Sequence, residues 1–261
     1  MEEIRFTGLT KLAAVSVLLT FFLLSGMVAL QAEEKKEEKN KRFKYTSSTS
    51  FSFLLTRGNN NNQTFSFDTD QNFFFNKSRL KARLSVIYAQ KLGEERSEIY
   101  NAQFEYNHQI KKGTYILALL AGERNRLAGN EFRFAYSIGA GFIVLKTEKL
   151  EVTSEISGGR TSENLRKISQ LKYFSSYLSL IGTTRLIYTI SKTSQLIHQN
   201  NFFFNFKEMK DWRVDSNTSL SASISKNFAL KTSFRIIYDN LPVEGFKAAD
   251  YYFLTSVVIK F

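Results

Sequence analysis

The sequence predicts an all-β fold, an up-and-down antiparallel transmembrane β-barrel of about twelve strands. Three observations predict it. From Lys44 onward long stretches alternate polar and apolar side chains, and the connections between them alternate short and long. The chain also ends on an aromatic, Phe261, with apolar residues at every second position before it. Composition narrows the field. The 261 residues are 43% apolar and 15% aromatic, with 25 Phe, 12 Tyr, one Pro and no Cys, which excludes collagen-like, disulfide-framed and disordered classes.

The elements begin with a leader. Residues 1–32 carry Arg5 and Lys11, an apolar run from Leu12 to Leu30 and a small residue, Ala32, as a cleaved secretory signal does. The same run nearly reaches the length of a single membrane anchor, which is the competing reading. Glu33 to Arg42 is charged throughout apart from Asn40 and reads as a solvated periplasmic tether, leaving residues 43–261 for the barrel. The net charge of +12 survives removal of the leader, which holds two basic and two acidic groups. In an exported chain that excess points to anionic lipid and lipopolysaccharide rather than nucleic acid.

Turn residues divide the remainder into strands at about 44–56, 63–75, 79–90, 97–109, 113–123, 131–145, 149–160, 175–190, 193–206, 211–225, 227–240 and 249–261. The tenth is the clearest. Trp212, Val214, Leu220, Ala222 and Ile224 share one parity, whereas Arg213, Asp215, Asn217, Ser219, Ser221 and Ser223 share the other. A soluble sandwich or lipocalin-like barrel would also alternate. The membrane form is favoured because the strands are long enough to cross an apolar band and the lone proline, Pro242, lies in a long connection. An even strand count also returns the C-terminus to the starting rim, and the last strand has the pattern that assembly machinery reads, with Phe261 as the signal. Tyr45, Phe73, Phe75, Tyr106 and Phe261 would form an aromatic girdle at the periplasmic rim. Phe65, Phe202, Phe204, Phe206, Tyr251 and Phe253 would form the outer one, and every short turn carries a Lys.

With the polar parity inward, the lumen receives Arg79, Lys81, Arg83, Arg133, Arg185, Arg213, Lys231, Arg235 and Lys260 against Asp68, Asp70, Glu105, Glu131, Glu151, Glu155, Asp215 and Asp239. Near balance predicts pairing, a lumen largely filled by side chains and at most a thin water path. Catalysis finds little support. Outer-membrane lipases of twelve strands place Ser two residues after His, but here the stretches read His108-Gln109-Ile110 and His198-Gln199-Asn200. We read His108 as an interfacial side chain and His198 as lying at a local bulge in a polar ninth strand. Asp68 and Asp70 are too few for calcium, and no cysteine or glycine-rich phosphate loop offers a metal or cofactor site.

Several stretches carry a resemblance. They are Thr56-Arg57-Gly58-Asn59, Gly139-Ala140-Gly141-Phe142, the run Tyr238-Asp239-Asn240-Leu241-Pro242-Val243-Glu244-Gly245-Phe246-Lys247, then Asp250 and Phe261. Together they resemble the domain of unknown function 481 family, the salt-induced outer-membrane proteins, over about residues 44–261. Asn240 and Asn60 stand where Ser and Thr are common. The resemblance implies a barrel in the outer membrane of a Gram-negative bacterium and supplies no activity or site residues. The expected function is non-enzymatic, either structural or a narrow passive pore for small solutes. The alternative is an outer-membrane hydrolase or lipid-modifying enzyme using His198 or a carboxylate such as Glu151. Oligomeric state is not legible.

Overall fold

In the computed structural model, residues 43–56, 62–91, 97–125, 128–165 and 173–261 are described. The expected leader and tether lie outside them, as do Arg57-Gly58-Asn59 and Asn60. Twelve strands follow one another: β1 (Phe43–Thr56), β2 (Asn62–Phe75), β3 (Ser78–Lys91), β4 (Ser97–Lys111), β5 (Thr114–Asn125), β6 (Asn130–Lys146), β7 (Leu150–Leu165), β8 (Tyr173–Thr189), β9 (Ser194–Asn205), β10 (Trp212–Ser223), β11 (Phe228–Asp239) and β12 (Ala249–Lys260). Each lies beside its neighbour in sequence, and β12 meets β1 to close the barrel.

Alternation decides which face is wet. On β6, Phe132, Phe134, Tyr136 and Ile138 are 55%, 39%, 50% and 74% exposed, while Ala135 and Ser137 between them are buried. Most buried side chains are Ser, Thr and Asn, so the apolar face points out and the polar face in. Outward aromatics gather near both rims. Phe75 meets Tyr106 near the short turns, and Trp212–Tyr238, Phe204–Phe206 and Phe234–Tyr251 lie near the longer loops, with ring centroids 5.3 to 6.5 Å apart. Phe74 differs from its two neighbours, since the pleat turns it into the lumen.

The turn rim is tight. Asn76 and Gly113 adopt φ of 53° and 78° in the two-residue connections after β2 and β4, the left-handed backbone that matches hairpin twist. The closing seam is described over a short stretch. Ser47 and Phe261 exchange both backbone hydrogen bonds at 3.0 Å, and pairing runs on from Ser48–Lys260 to Phe51–Val257. By contrast, β11 and β12 pair from Phe228–Ile259 to Tyr238–Ala249. Where the seam ends, an apolar cleft of about 340 Å³ opens among Phe51, Phe53, Phe65, Leu230 and Val257.

Three sequence expectations change. First, β7 continues to Leu165, five residues past the expected end, because Thr161 to Asn164 are polar on both faces and show no alternation while their ladders to β6 and β8 persist. Second, β9 pairs with β8 and β10 without a register shift, so His198 occupies no bulge. Third, the bulges fall on β4, β5 and β6, and one lies between Asn130 and Phe132. There it places Glu131 3.4 Å from Arg124, whose parity is outward, instead of in the lumen.

Candidate functional site

The barrel encloses a cavity of about 1100 Å³, lined by Arg79, Lys81, Arg83, Glu105, Arg133, Glu151, Glu155, Arg213, Asp215, Lys231 and Arg235 along with smaller polar residues. That is room for tens of waters, more than the expected thin path. The reason lies between the charges. Ser85, Asn101, Ala121, Ala135, Ser157 and Ser219 also face inward, and their short side chains leave the space open.

Most charges pair, but not evenly. Arg83 donates from Nε and Nη2 to Asp70 Oδ2 at 3.1 and 2.8 Å, and Arg235 grips both oxygens of Asp215 at 2.8 Å. Arg79 reaches Glu105 at 3.3 Å, Asn107 donates to the same oxygen at 2.7 Å, and Lys146 meets Glu151 at 2.6 Å by the turn rim. Tyr115 donates to Glu155 at 2.6 Å. Among the described residues Lys231 and Lys260 find only the hydroxyls of Ser50 and Ser223, at 3.1 and 3.4 Å. Among the described residues Lys81 and Arg185 have no ion pair or side-chain hydrogen bond, and of the lumen acids Asp68 alone shares that state.

Towards the loop rim the lumen holds a buried ionic network. Arg213 lies 3.3 Å from Glu163, 2.9 Å from Asp211 and 3.1 Å from Asp239, and Arg133 shares Glu163 at 2.9 Å while reaching Glu123 at 3.3 Å. Phe203 lies beneath both guanidinium groups, its ring centroid 5.1 Å from Arg213 and 5.9 Å from Arg133. Four carboxylates thus share two arginines. Burial pushes the Asp211 carboxyl up from its ordinary range, and Arg213 offsets this only in part.

A lid covers this network. The connection from β11 to β12 leaves from Asp239, whose Oδ1 accepts the Leu241 N–H at 2.9 Å and whose own N–H donates to Ala248 O at 2.8 Å. Asp239 therefore ties both roots of the loop to Arg213. Asn240 fixes it sideways, donating from its backbone to Trp212 O and from Nδ2 to Lys210 O. On either side of Gly245, at φ 86°, Val243 and Phe246 press on Gly129; a Cβ on Gly129 would stand 2.8 Å from the Phe246 ring and 3.1 Å from Val243. Gly129 joins β5 to β6, half the ring away from β11 and β12, so the loop spans the mouth.

A model of the family described as "Protein of unknown function, DUF481" matches residues 49–261. The chain belongs to this family. No curated protein matches it by sequence. The fold is similar to that of the NanC porin, at TM-score 0.51 and 7% identity, covering 82% of this chain and 97% of that one. It is also similar to the COG4313 outer membrane channel from Pseudomonas putida F1, at TM-score 0.50 and 9% identity, covering 87% and 98%.

In this DUF481 barrel the stretch Tyr238 to Lys247 is the lid and its roots. Gly139 and Gly141 have a separate task. A Cβ at Gly139 would collide with the β7 backbone, and one at Gly141 with the Tyr115 ring, which crosses Gly141 to reach Glu155. Alternation alone did not single out Tyr115, Glu163, Asp211, Phe203 or the Gly129–Phe246 contact; the glycines and the Tyr-Asp pair were the available signals. The histidines remain outside the lumen. The His108 Nδ1 lies 3.0 Å from Ser78 Oγ near the turn rim, and His198 lies between Thr218 Oγ1 and the Asn200 amide, each at 2.8 Å.

Proposed function

We propose that the chain is a narrow passive pore for small solutes and ions in the outer membrane of a Gram-negative bacterium, with the Asn240–Ala248 loop as its gate. One observation carries this. A charged lumen with room for tens of waters reaches the turn rim at Asn76, Lys77 and Thr114 and stops beneath a loop pinned across the opposite mouth. A barrel that served only as a structural plug would need no such space, and the likeness to porin and channel barrels supports the same reading. In this orientation the loops face outward. The exposed Lys77, Lys112, Lys149, Lys192 and Lys226 then meet the anionic headgroups of the inner leaflet, and Phe261 serves the assembly machinery. The test is single-channel recording of refolded protein in planar bilayers. Rare small openings in the wild type that become frequent in Gly129→Leu support the pore; silence in both sinks it.

A second reading rests on His198. Asn and His nitrogen and oxygen assignments are interchangeable in such a row, so Asn200 Oδ1 can accept from Nε2 while Nδ1 takes the Thr218 hydroxyl proton. That is a nucleophile, base and orienter on the lipid-facing side. Phospholipid turnover that disappears in both His198→Ala and Thr218→Val would establish a hydrolase; no turnover by the wild type removes the reading.

A further inference from the structure

We infer that the waist of the lumen is a binding site for a small multivalent oxyanion bearing carboxylate or phosphate groups. The inference deepens the pore reading and rests on it for the anion's route. Arg83, Arg185 and Lys231 project from β3, β8 and β11, strands spread around the ring, yet each lies within electrostatic reach of the other two. They therefore face one another across the cavity, with Lys81 beside Arg83. The local acids are mostly engaged. Asp70 is held by Arg83 and Asn72, Glu105 by Arg79 and Asn107, and Glu155 by Tyr115. Among the described residues, three cations at the waist without a carboxylate within ion-pair distance, Lys81, Arg185 and Lys231, stand against one acid in the same state, Asp68, which lies nearer Lys231 and Arg83.

The Arg185 guanidinium adds direction to this charge. Its Nε is shielded and has no acceptor, although the side chain lines the cavity. The planar donor set of a guanidinium lining a wet cavity matches the two oxygens of a carboxylate or phosphate, whereas a halide satisfies one donor at a time. Arg83, held from one side by Asp70, presents the opposite edge of the site already oriented. A ligand carrying two or three charges can bridge the two, and the continuous lining down to Lys77 and Thr114 gives it a path from the turn rim.

Calorimetry on the full chain refolded in neutral detergent tests this at low salt, with citrate in one arm and inorganic phosphate in the other. We expect saturable binding that weakens roughly ten- to hundredfold in Arg185→Gln and in Lys81→Gln. Arg185→Lys, which keeps the charge and loses the fork, should fall between. The arm with the lower fitted dissociation constant identifies the oxyanion. Heat-modifiable migration on gels checks that each variant is folded. No binding of either anion, or binding unchanged in both glutamine variants, overturns the inference. Reversal potentials in bilayers separate the two proposals: citrate binding by a protein that never conducts sinks the pore and keeps the site, and conductance without citrate or phosphate binding does the reverse.

Discussion

Replacing Arg213 with methionine tests whether the ionic network holds the lid. The side chain is 12% exposed and lies within 3.3 Å of three carboxylates whose own exposures are 3%, 7% and 16%. Removing one partner of a buried ion pair costs about 3–5 kcal/mol, because the charge left behind loses its compensation. The lower end applies here. Glu163 keeps Arg133, Asp211 keeps the Asn205 amide, and Asp239 keeps the Leu241 N–H. A loss of about 3 kcal/mol, at about 1.4 kcal/mol per decade, raises the open population of the lid by at most roughly 100-fold, because of the three carboxylates Asp239 alone belongs to the roots of the lid. A cysteine at Val243, which packs on Gly129, reports it through its rate of maleimide labelling, normalised to the urea-unfolded chain. Labelling no faster in Arg213→Met than in the parent would refute the argument. The same assay reads Asp211. Because its folded-state pKa is raised, its contribution to lid stability is full below the ordinary carboxylate range and is lost as pH rises through the raised value. Normalised labelling should therefore slow as pH falls from neutral into that window, and Asp211→Asn should be slow throughout.

Three further outcomes are expected. Gly141→Val displaces the Tyr115 ring and breaks its bond to Glu155, costing about 1–3 kcal/mol, read as a lower melting temperature of the heat-modifiable band. Deleting Phe261 removes both backbone bonds to Ser47 together with the terminal aromatic, so insertion into vesicles should slow; an unchanged rate would end its role as a signal. On intact cells an impermeant maleimide should label a cysteine at Glu244 and not one at Lys192 or Lys226, and the opposite pattern would invert the barrel.

Period-two alternation places all twelve strands because a wall with lipid on one side and water on the other imposes opposite demands on successive residues. It fails where that contrast fades. At the loop rim Thr161 to Asn164 are wet or hydrogen-bonded on both faces, so the wall continues while the pattern stops, and Glu163 emerges as the hub between Arg133 and Arg213. Glu131 moves for another reason. A bulge adds one residue, and one residue reverses a face. The lid was out of reach of any local rule, since Phe246 and Gly129 are far apart in sequence and are brought together by ring closure. Only the crowding of Gly, Pro and Asp before the last strand marked the place.

The closing seam bears on how the barrel comes into being. Eleven of the twelve neighbouring pairs are between strands adjacent in sequence and can zip from their turns, while β1 and β12 must find each other across more than two hundred residues, with pairing described from Ser47 to Phe51 on the β1 side. Loop closure of that span costs entropy that is repaid only when the two end strands pair, so this joint is expected to form last and open first. Amide exchange should be fastest along Ala249–Ser256 of β12, and a disulfide bridging Ser48 and Lys260 should convert a sheet that closes slowly into a ring that can no longer unroll.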